Sequence, residues 1–387
     1  MTTCHCLLPT LFIPTYPMTK KIIVSTLSCL MGTAAMAQSS VQLYGIAEAS
    51  VENVTNVGAD GKSLSRMPNS AVAPSRIGFR GTEDLGGGLK AVFTFEQGLN
   101  LNNGSLGQGG RGFGRQAYVG LSGPFGTITA GRLYTMTFWS GTRADIHGGG
   151  LYGTGSLDSY IPNARADSAI GWMKKFGNLD LGATYSFGRD AVNAGPSPAG
   201  TNCSQQSGDS KACREWSVMA SYNTADWGVA VANDRIHGRA LTGGTDAVFG
   251  GLDSSDKTDN RAIVTGWFKL GDTRIGGGLV QRKNEGAGSR PDSKLWHIGA
   301  ATPVAKSLTL SGQVVALRYD DNSDYNATLA AVRLSYELSK RTTLFGQVGH
   351  IRNGDLSTIS VNGGTPGSNP AAGVSQTGIN LGIRHNF

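Results

Sequence analysis

The chain has 387 residues, of which 57 are glycine and 13 are proline, and its formal charge is +7 at pH 7. After residue 37 no uninterrupted apolar run is long enough to cross a bilayer as a helix, which excludes a helical membrane protein. Basic residues are scattered along the chain instead of forming a stripe with aromatic residues, which argues against nucleic-acid binding.

The first predicted element is a secretory signal peptide that begins at Met18. Lys20 and Lys21 form its basic segment, and an apolar segment occupies residues 22–31. A small-residue cleavage motif, Ala-Met-Ala, ends at Ala37. The apolar segment is too short for a membrane-spanning helix, so the pattern indicates export followed by cleavage.

The signal peptide predicts how the chain is divided. We expect residues 1–17 to be a spurious upstream extension, residues 18–37 to be the signal peptide, and the mature chain to begin at Gln38. Its formal charge is then +5, because two lysines leave with the leader. No charged linker or change of composition divides residues 38–387, so they are expected to form one domain.

Alternation of apolar and polar residues recurs along the mature chain. It is clear in Leu89–Glu96 and Leu179–Phe187, where every second residue is apolar. The apolar positions are Leu89, Ala91, Phe93 and Phe95 in the first segment and Leu179, Leu181, Ala183, Tyr185 and Phe187 in the second. Because successive side chains of a strand point to opposite faces, both segments are predicted to be strands with one apolar face.

The connections between the predicted strands alternate between short and long. Seven short turns lie at residues 84–88, 123–126, 176–178, 224–226, 270–272, 303–306 and 338–340. Eight connections that are mostly longer and polar lie near residues 53–71, 99–112, 136–164, 189–214, 237–257, 284–292, 319–325 and 353–374. Together they join sixteen strands, with tight turns at one rim and long loops at the other.

The last segment, Gln376–Phe387, has an apolar face and a polar face and ends on an aromatic residue. After a secretory signal, this pattern is typical of the closing strand of an outer-membrane barrel. We therefore predict an all-β fold, a sixteen-stranded antiparallel transmembrane β-barrel. A soluble β-sandwich or a secreted repeat protein would also alternate, but neither has a reason to segregate short turns from long loops.

Four stretches carry a resemblance to a known family. They are VQLYGIAEASVE (Val41–Glu52), SRIGFRGTEDLGGGLKAVFTFEQGLNLNNG (Ser75–Gly104), FGRQAYVGLSGPFGTITAGRLY (Phe113–Tyr134) and the final GIRHNF. The chain resembles the general porins of Gram-negative bacteria, most closely the β-proteobacterial branch of Neisseria and Burkholderia-like porins. The resemblance covers essentially all of the mature chain and is densest over residues 41–134 and 376–387.

The resemblance implies where the protein acts and what it contacts. It implies a homotrimer in the outer membrane, among lipid and lipopolysaccharide, whose third long loop, Met136 to Ala164, folds inward to narrow the pore. It also implies that Phe387 is an assembly signal read by the barrel assembly machinery. The solutes would be small hydrophilic molecules and inorganic anions.

In porins of this kind, arginines on one wall of the pore face acidic residues of the constriction loop. The matching positions are Arg76, Arg132 and Arg165, with Arg115 as a weaker addition. Alternation supports an inward position for Arg76, because Ile77 and Phe79 take the opposite face. Arg132 shares parity with apolar neighbours, so a bulge near Gly131 would be needed to turn it inward.

The acidic residues available to the loop are Asp145 and Asp158, with Asp167 at the boundary of the next strand. Two or three acids facing three or four arginines would leave a positive potential, so the channel is expected to prefer anions. Alternatively, each arginine is a solvated wall or rim residue paired with a neighbouring carboxylate, as is common in any water-filled barrel.

The remaining reactive residue types suggest no catalytic, cofactor or metal site. Cys203 and Cys213 are the cysteines of the mature chain, and such a pair in an exported protein favours a disulfide over a metal site. The histidines are dispersed without metal spacing. His147 lies in the predicted constriction loop and could make conductance sensitive to pH, although an ordinary loop histidine is the simpler interpretation.

The function predicted from the sequence is a porin that lets small hydrophilic solutes diffuse passively through the outer membrane. The alternative is a barrel without conductance that acts as an adhesin or as an enzyme. An enzyme would need a nucleophile and a base near one rim, and no such motif is recognisable. An adhesin would place its function in the long loops near residues 189–214 and 353–374.

The position of the cleavage motif makes a direct prediction. Amino-terminal sequencing of protein purified from the outer membrane should return Gln38 as the first residue, because Ala37 ends the cleavage motif. A first residue before Met18 would contradict both the cleavage site and the assignment of residues 1–17.

Overall fold

The computed structural model describes residues 39–189, 203–240, 252–286, 292–363 and 367–387. The expectations for the upstream extension and the signal peptide lie outside these residues. Within them, most of the chain is extended, and no helix is both long enough and apolar enough to cross a membrane. The elements that matter for function are therefore strands and the connections between them.

Eighteen strands form one sheet, and two of the eighteen are short additions at the loop rim. The strands are β1 (Ser40–Val57), β2 (Lys62–Arg66), β3 (Arg76–Gly86), β4 (Leu89–Asn100), β5 (Ser105–Leu106), β6 (Gln116–Gly123), β7 (Gly126–Tyr134), β8 (Arg165–Phe176), β9 (Leu179–Ser186), β10 (Glu215–Asn223), β11 (Trp227–His237), β12 (Thr258–Leu270), β13 (Thr273–Asn284), β14 (Ser293–Ala305), β15 (Leu308–Tyr319), β16 (Ala327–Glu337), β17 (Thr342–Asn353) and β18 (Gln376–Asn386). Short helical turns are α1 (Gly107–Gly110), α2 (Met136–Gly141), α3 (Thr154–Leu157) and the 3₁₀ turns Ile161–Asn163 and Ser323–Tyr325.

The sheet closes on itself, because β18 pairs antiparallel with β1 as well as with β17. The register between the two ends runs from Ile46 with Asn386 to Val54 with Gly378. Without the short strands β2 and β5, sixteen antiparallel strands form the wall. The predicted sixteen-stranded barrel is confirmed.

The predicted tight turns all join neighbouring strands of the wall. Several of them require a backbone conformation that favours glycine, as at Gly177 and Gly271, where φ is +60°. The longer connections lie at the opposite ends of the strands. In membrane barrels the short turns face the periplasm and the long loops face outward, so the chain follows that arrangement.

The two faces of each strand differ as the alternation predicted. On β4, Phe95 is exposed whereas Thr94 and Glu96 are buried, and on β9, Tyr185 is exposed whereas Thr184 is buried. Large apolar side chains therefore cover the outside of the wall, where lipid would contact them. The buried face carries polar residues and also an apolar cluster that includes side chains of the connection between β7 and β8.

Cys203 and Cys213 form a disulfide in the connection before β10, with their Cα atoms 5.2 Å apart. The backbone N–H of Cys213 donates to the carbonyl of Gly238, 3.0 Å away, so the bridged segment is attached to the end of β11. The bridge therefore lies at the loop rim, and the wall strands pair without it.

The carboxyl-terminal residue closes the sheet. Phe387 exchanges two backbone hydrogen bonds with Gly45, of 3.0 and 3.1 Å, and its ring covers that glycine so closely that a Cβ there would lie 2.3 Å from it. We expect deletion of Phe387 to remove about 2 kcal/mol of backbone pairing and to reduce the yield of folded barrel. The heat-dependent shift between folded and unfolded bands on a gel measures this yield.

The matched control is Phe387→Tyr, which keeps the backbone pairing and the ring. It should fold in the parent's yield. A deletion variant that folds as well as the parent would show that closure does not depend on this residue.

Candidate functional site

Two of the expected arginines meet at one carboxylate on the buried face of the barrel. The Nε of Arg115 lies 2.6 Å from Oε1 of Glu96 on β4, and the Nε of Arg76 on β3 lies 3.9 Å from its Oε2. The hydroxyl of Tyr44 on β1 donates to the same Oε2 at 3.0 Å. Arg76 thus has the inward position that alternation predicted, and Arg115 joins it through Glu96.

A tyrosine brings the third arginine to this group. The hydroxyl oxygen of Tyr134, at the end of β7, accepts hydrogen bonds from Arg115 at 2.8 Å and from Arg165 at 2.6 Å. The guanidinium of Arg165 also lies over the Tyr134 ring, 4.4 Å from its centre. Arg76, Arg115 and Arg165 therefore form one unit, which we call the arginine cluster.

The charge of the arginine cluster is only partly compensated. The cluster holds three guanidinium groups and one carboxylate: Glu96 is the ion-pair partner of Arg76 and Arg115 within the described residues, and Arg165 is joined to them through Tyr134. Arg115 and Arg165 are 4% and 3% exposed, whereas the side chain of Arg76 is 22% exposed. Arg76 is therefore the member that an ion in solution can approach, and the other two act on it through their field.

Arg132 belongs to a different group. Its guanidinium contacts Asp167 and donates from Nε to the carbonyl of Gly114 at 2.7 Å, and Arg111 lies 3.5 Å from the same aspartate. Asp167 accordingly compensates Arg132 and Arg111 and is not placed with the acids of the connection between β7 and β8.

The irregularity expected near Gly131 is present, but it takes a different form. Gly131 pairs with Ala169 and Leu133 pairs with Ala166, so the extra residue lies on β8, where Ser168 has a φ of +47°. On its other side Arg132 keeps its regular pairing with Ala117 of β6. The bulge therefore does not change the register of Arg132 itself, which explains why it lies beside Asp167 and Gly114.

The two acidic residues of the connection between β7 and β8, Asp145 and Asp158, contact strands in the carboxyl-terminal half of the chain. Asp145 accepts from the Gln313 amide on β15 at 2.9 Å, and Asp158 lies 3.5 Å from the guanidinium of Arg261 on β12. Asp145 also accepts from Thr154 within the connection. Asp145 thus has its wall partner on β15, and Asp158 has its wall partner on β12. Neither acid is among the described contacts of the arginine cluster.

A buried polar group holds the carboxyl-terminal half of this connection. The hydroxyl of Tyr160 lies 2.9 Å from Glu215 on β10 and 2.7 Å from Asp234 on β11, and Arg261 lies over its ring at 4.2 Å. Burial and the two carboxylates raise the pKa of the Tyr160 hydroxyl, so it remains a hydrogen-bond donor. The connection is attached to the wall by polar groups as well as by apolar packing.

His147 attaches the amino-terminal half of the same connection to the wall. Its ring nitrogens lie 3.3 Å from the Tyr152 carbonyl and 3.2 Å from the Ser311 hydroxyl, and its own carbonyl accepts from Arg333 at 3.1 Å. Burial, reinforced by the charge of Arg333, lowers the pKa of His147 to about 4. The ring is therefore neutral at pH 7.

Sequence reasoning missed several of these residues. Alternation puts Glu96 on the polar face of its strand, opposite Phe93 and Phe95, but its partnership with Arg76 depends on the pairing of β3 with β4. Tyr134 stands two residues after Arg132 in sequence, and nothing local shows that its hydroxyl would join Arg115 to Arg165. Among the described residues, no group of three or more histidine, cysteine or acidic side chains is arranged to hold a metal ion.

Comparisons with known proteins agree with this architecture. The family model described as Gram-negative porin matches residues 25–356. The outer membrane porin protein 32 of Delftia acidovorans is 31% identical over 95% of this chain and all of its own length. An outer membrane porin of Bordetella pertussis is 27% identical over 96% of this chain and all of its own length. The solved anion-selective porin from Comamonas acidovorans is 25% identical, with a TM-score of 0.71 over 90% of this chain and 100% of its own.

The environment of His147 predicts a pH response of the connection between β7 and β8. In the packed state its pKa is about 4, below the ordinary value of 6.5, so a released connection binds the proton more strongly. Packing is at full strength above pH 6.5 and weakens as the pH falls from 6.5 towards 4. A spin label on Thr142→Cys should therefore gain mobility over this range.

The control is the same label in a His147→Gln background, which cannot be protonated. Its mobility should stay nearly constant between pH 7 and pH 4 if the histidine is responsible. Asp145 and Arg333 both lie near the ring, so an unchanged pH response in the glutamine variant would assign the effect to one of them instead.

Proposed function

Because the chain belongs to the family of Gram-negative porins, we propose that it forms a water-filled outer-membrane channel that prefers small anions. Outer-membrane location and passive diffusion follow from family membership and from the closed barrel. The preference for anions is supported chiefly by the arginine cluster, in which Arg76 and Arg115 pair with Glu96 and Arg165 is joined to Arg115 through Tyr134. The related Comamonas porin, which is described as anion-selective, supports the same direction.

We also propose that the connection from Met136 to Ala164 narrows the channel. Its side chains contact the buried face of the wall at several points. The Tyr152 hydroxyl donates to Glu52 at 2.9 Å, and a Cβ on Gly349 or Gly378 would lie 2.8 or 2.5 Å from the tyrosine side chain. Glycine at these two positions therefore makes room for the ring against β17 and β18.

The assembly is proposed to be a homotrimer surrounded by outer-membrane lipid, with insertion through the barrel assembly machinery, as the family resemblance implies. We propose a channel and not an enzyme. His147 and Ser311 are close enough for a hydrogen bond, but they are 2% and 8% exposed, so a substrate and water have little access to them. We propose that Arg132 and Asp167 also lie at the constriction, where they pair with each other.

Current through a planar bilayer separates a channel from an adhesin or an enzyme. Purified protein should produce stepwise increases in current, in groups of three if trimers insert. The reversal potential in a salt gradient should have the sign of an anion-preferring pore. Protein that inserts and carries no current would overturn the proposal.

The unequal exposure of the arginine cluster predicts unequal effects on selectivity. Arg76→Gln should lower the anion-to-cation permeability ratio by up to about fivefold in dilute salt, since charges about 4 Å apart interact by roughly 1 kcal/mol in water. Arg165→Gln should lower it less, because Arg165 is buried behind Tyr134. Asp158→Asn should raise the ratio, because it removes one of the two carboxylates that contact Arg261 and leaves only Asp259 of the pair.

Salt and position provide the controls. Each effect should shrink as salt rises, because the screening length falls from about 30 Å at 0.01 M to about 10 Å at 0.1 M. Lys174→Gln, which removes a cation beside the Phe176 ring, should leave the reversal potential unchanged. If Arg76→Gln and Arg165→Gln both match the parent in dilute salt, the arginine cluster does not set the preference.

A further inference from the structure

Arg189, three residues after the end of β9, contacts the loop that the disulfide closes, residues 203–213, which we call the disulfide loop. The backbone N–H of Arg189 donates to the carbonyl of Cys213 at 3.1 Å. Its own carbonyl accepts from the backbone N–H of Asp167, near the start of β8, at 2.9 Å. Arg189 therefore joins the disulfide loop to the strand that follows the connection between β7 and β8.

The side chain of Arg189 contacts the buried polar group around Tyr160. It is 2% exposed, and its Nε lies 3.8 Å from Oε2 of Glu215 on β10. Its guanidinium also lies over the Tyr160 ring, 5.1 Å from the ring centre. Because the Tyr160 hydroxyl lies 2.9 Å from Oε1 of the same glutamate, Arg189 stabilises this tyrosine both directly and through Glu215.

Arg189 also supplies the charge that this buried group needs. Glu215 and Asp234 are each 1% exposed, and both lie within hydrogen-bond distance of the Tyr160 hydroxyl. Arg261 lies over the same ring, but its ion pairs are made with other aspartates. Within the described residues, the basic partner of Glu215 is Arg189. Loss of that cation would leave a buried carboxylate uncompensated, which is costly.

Cys213 directs its carbonyl towards Arg189 in a backbone conformation that residues other than glycine rarely adopt. Its φ is +56°, in the left-handed region, so the surrounding structure must impose this conformation. The disulfide to Cys203 and a hydrogen bond of 3.0 Å from the Cys213 N–H to the carbonyl of Gly238 do so. Without the bridge the segment can relax, and the carbonyl then no longer faces the Arg189 N–H.

We propose that Arg189, held by the disulfide loop, is a positioning residue for the constriction. It fixes Tyr160, and through Tyr160 it fixes the carboxyl-terminal half of the connection from Met136 to Ala164. The disulfide therefore sets the position of this connection, whereas the strands of the wall pair without it. This role rests on the proposed function, in which the connection narrows the channel.

Hydrogen exchange followed by mass spectrometry, on the folded barrel in detergent, measures how firmly the connection is held. The reporter is the backbone amide of Asn163, which donates to the Tyr160 carbonyl at 2.9 Å. In Arg189→Gln the peptide that contains Asn163 should exchange at least tenfold faster, because Glu215 loses its cation. Arg189→Lys keeps the positive charge and should restore most of the parent's protection.

The double variant Cys203→Ser with Cys213→Ser tests the same contact without changing any charge. It should accelerate exchange at Asn163 by about fivefold, as expected for the loss of one hydrogen bond. Peptides of the wall, such as those of β15, should exchange as in the parent, because their pairing does not involve the bridge. If exchange at Asn163 in this variant and in Arg189→Gln equals the parent's, the proposal is wrong.

The matched control is Arg214→Gln. Arg214 directly follows Cys213, and its guanidinium contacts the carbonyls of Phe187 and Ser210. This variant removes the same charge from the same segment, and none of the described contacts of the Arg214 side chain reaches the connection between β7 and β8. Exchange at Asn163 should therefore match the parent's. An equal acceleration in Arg214→Gln would overturn the specific role of Arg189.

Current through a planar bilayer separates this role from the proposed channel. Arg189→Gln and the double serine variant should raise the single-channel conductance, because a released connection narrows the pore less, and Arg214→Gln should conduct as the parent does. A parent that carries no current would contradict the proposed function. A conducting parent whose Arg189→Gln variant exchanges faster at Asn163 but keeps the parent's conductance would overturn the positioning role.

Discussion

Closure of the sheet between β1 and β18 is the constraint on which the rest of the structure depends. The bilayer core offers backbone groups no hydrogen-bond partners, so a sheet can cross it only when no strand is left at an edge. The pairing of Ile46 with Asn386 through Val54 with Gly378 removes that edge. A shift of one residue would turn every side chain of β1 to the other face, so closure also decides which residues meet lipid.

The inward face of β1 shows what this register makes possible. Glu48 accepts the backbone N–H groups of Ala71, Val72 and Ala73 at 2.7 to 2.9 Å, which ties the first long connection to the wall. Glu52, four residues further along the same face of β1, accepts a hydrogen bond from the Tyr152 hydroxyl in the third long connection. Buried carboxylates need such donors, because burial without them is costly. The strand that closes the barrel therefore also positions the first and third long connections.

Features that depend on local alternation could be predicted from the sequence. Features that depend on contacts between strands distant in sequence could not. Alternation was enough for the sixteen strands, for the outward face of β4 and for the inward position of Arg76. Arg132 could not be placed in the same way, since the irregularity beside it arises from Ser168, on another strand. The partnership of Arg115 with Glu96 and Tyr134 joins three segments and has no local signal.

The arginine cluster suggests how a porin can prefer anions without retaining them. Arg115 and Arg165 are too deeply buried to coordinate a passing ion, and Tyr134 and Glu96 hold them in place. Their charges act from a medium of lower dielectric constant than water, where fields are screened less. An anion near Arg76 would experience this field without exchanging its water for several guanidinium groups. Attraction without tight coordination permits rapid release, which conduction requires as much as entry.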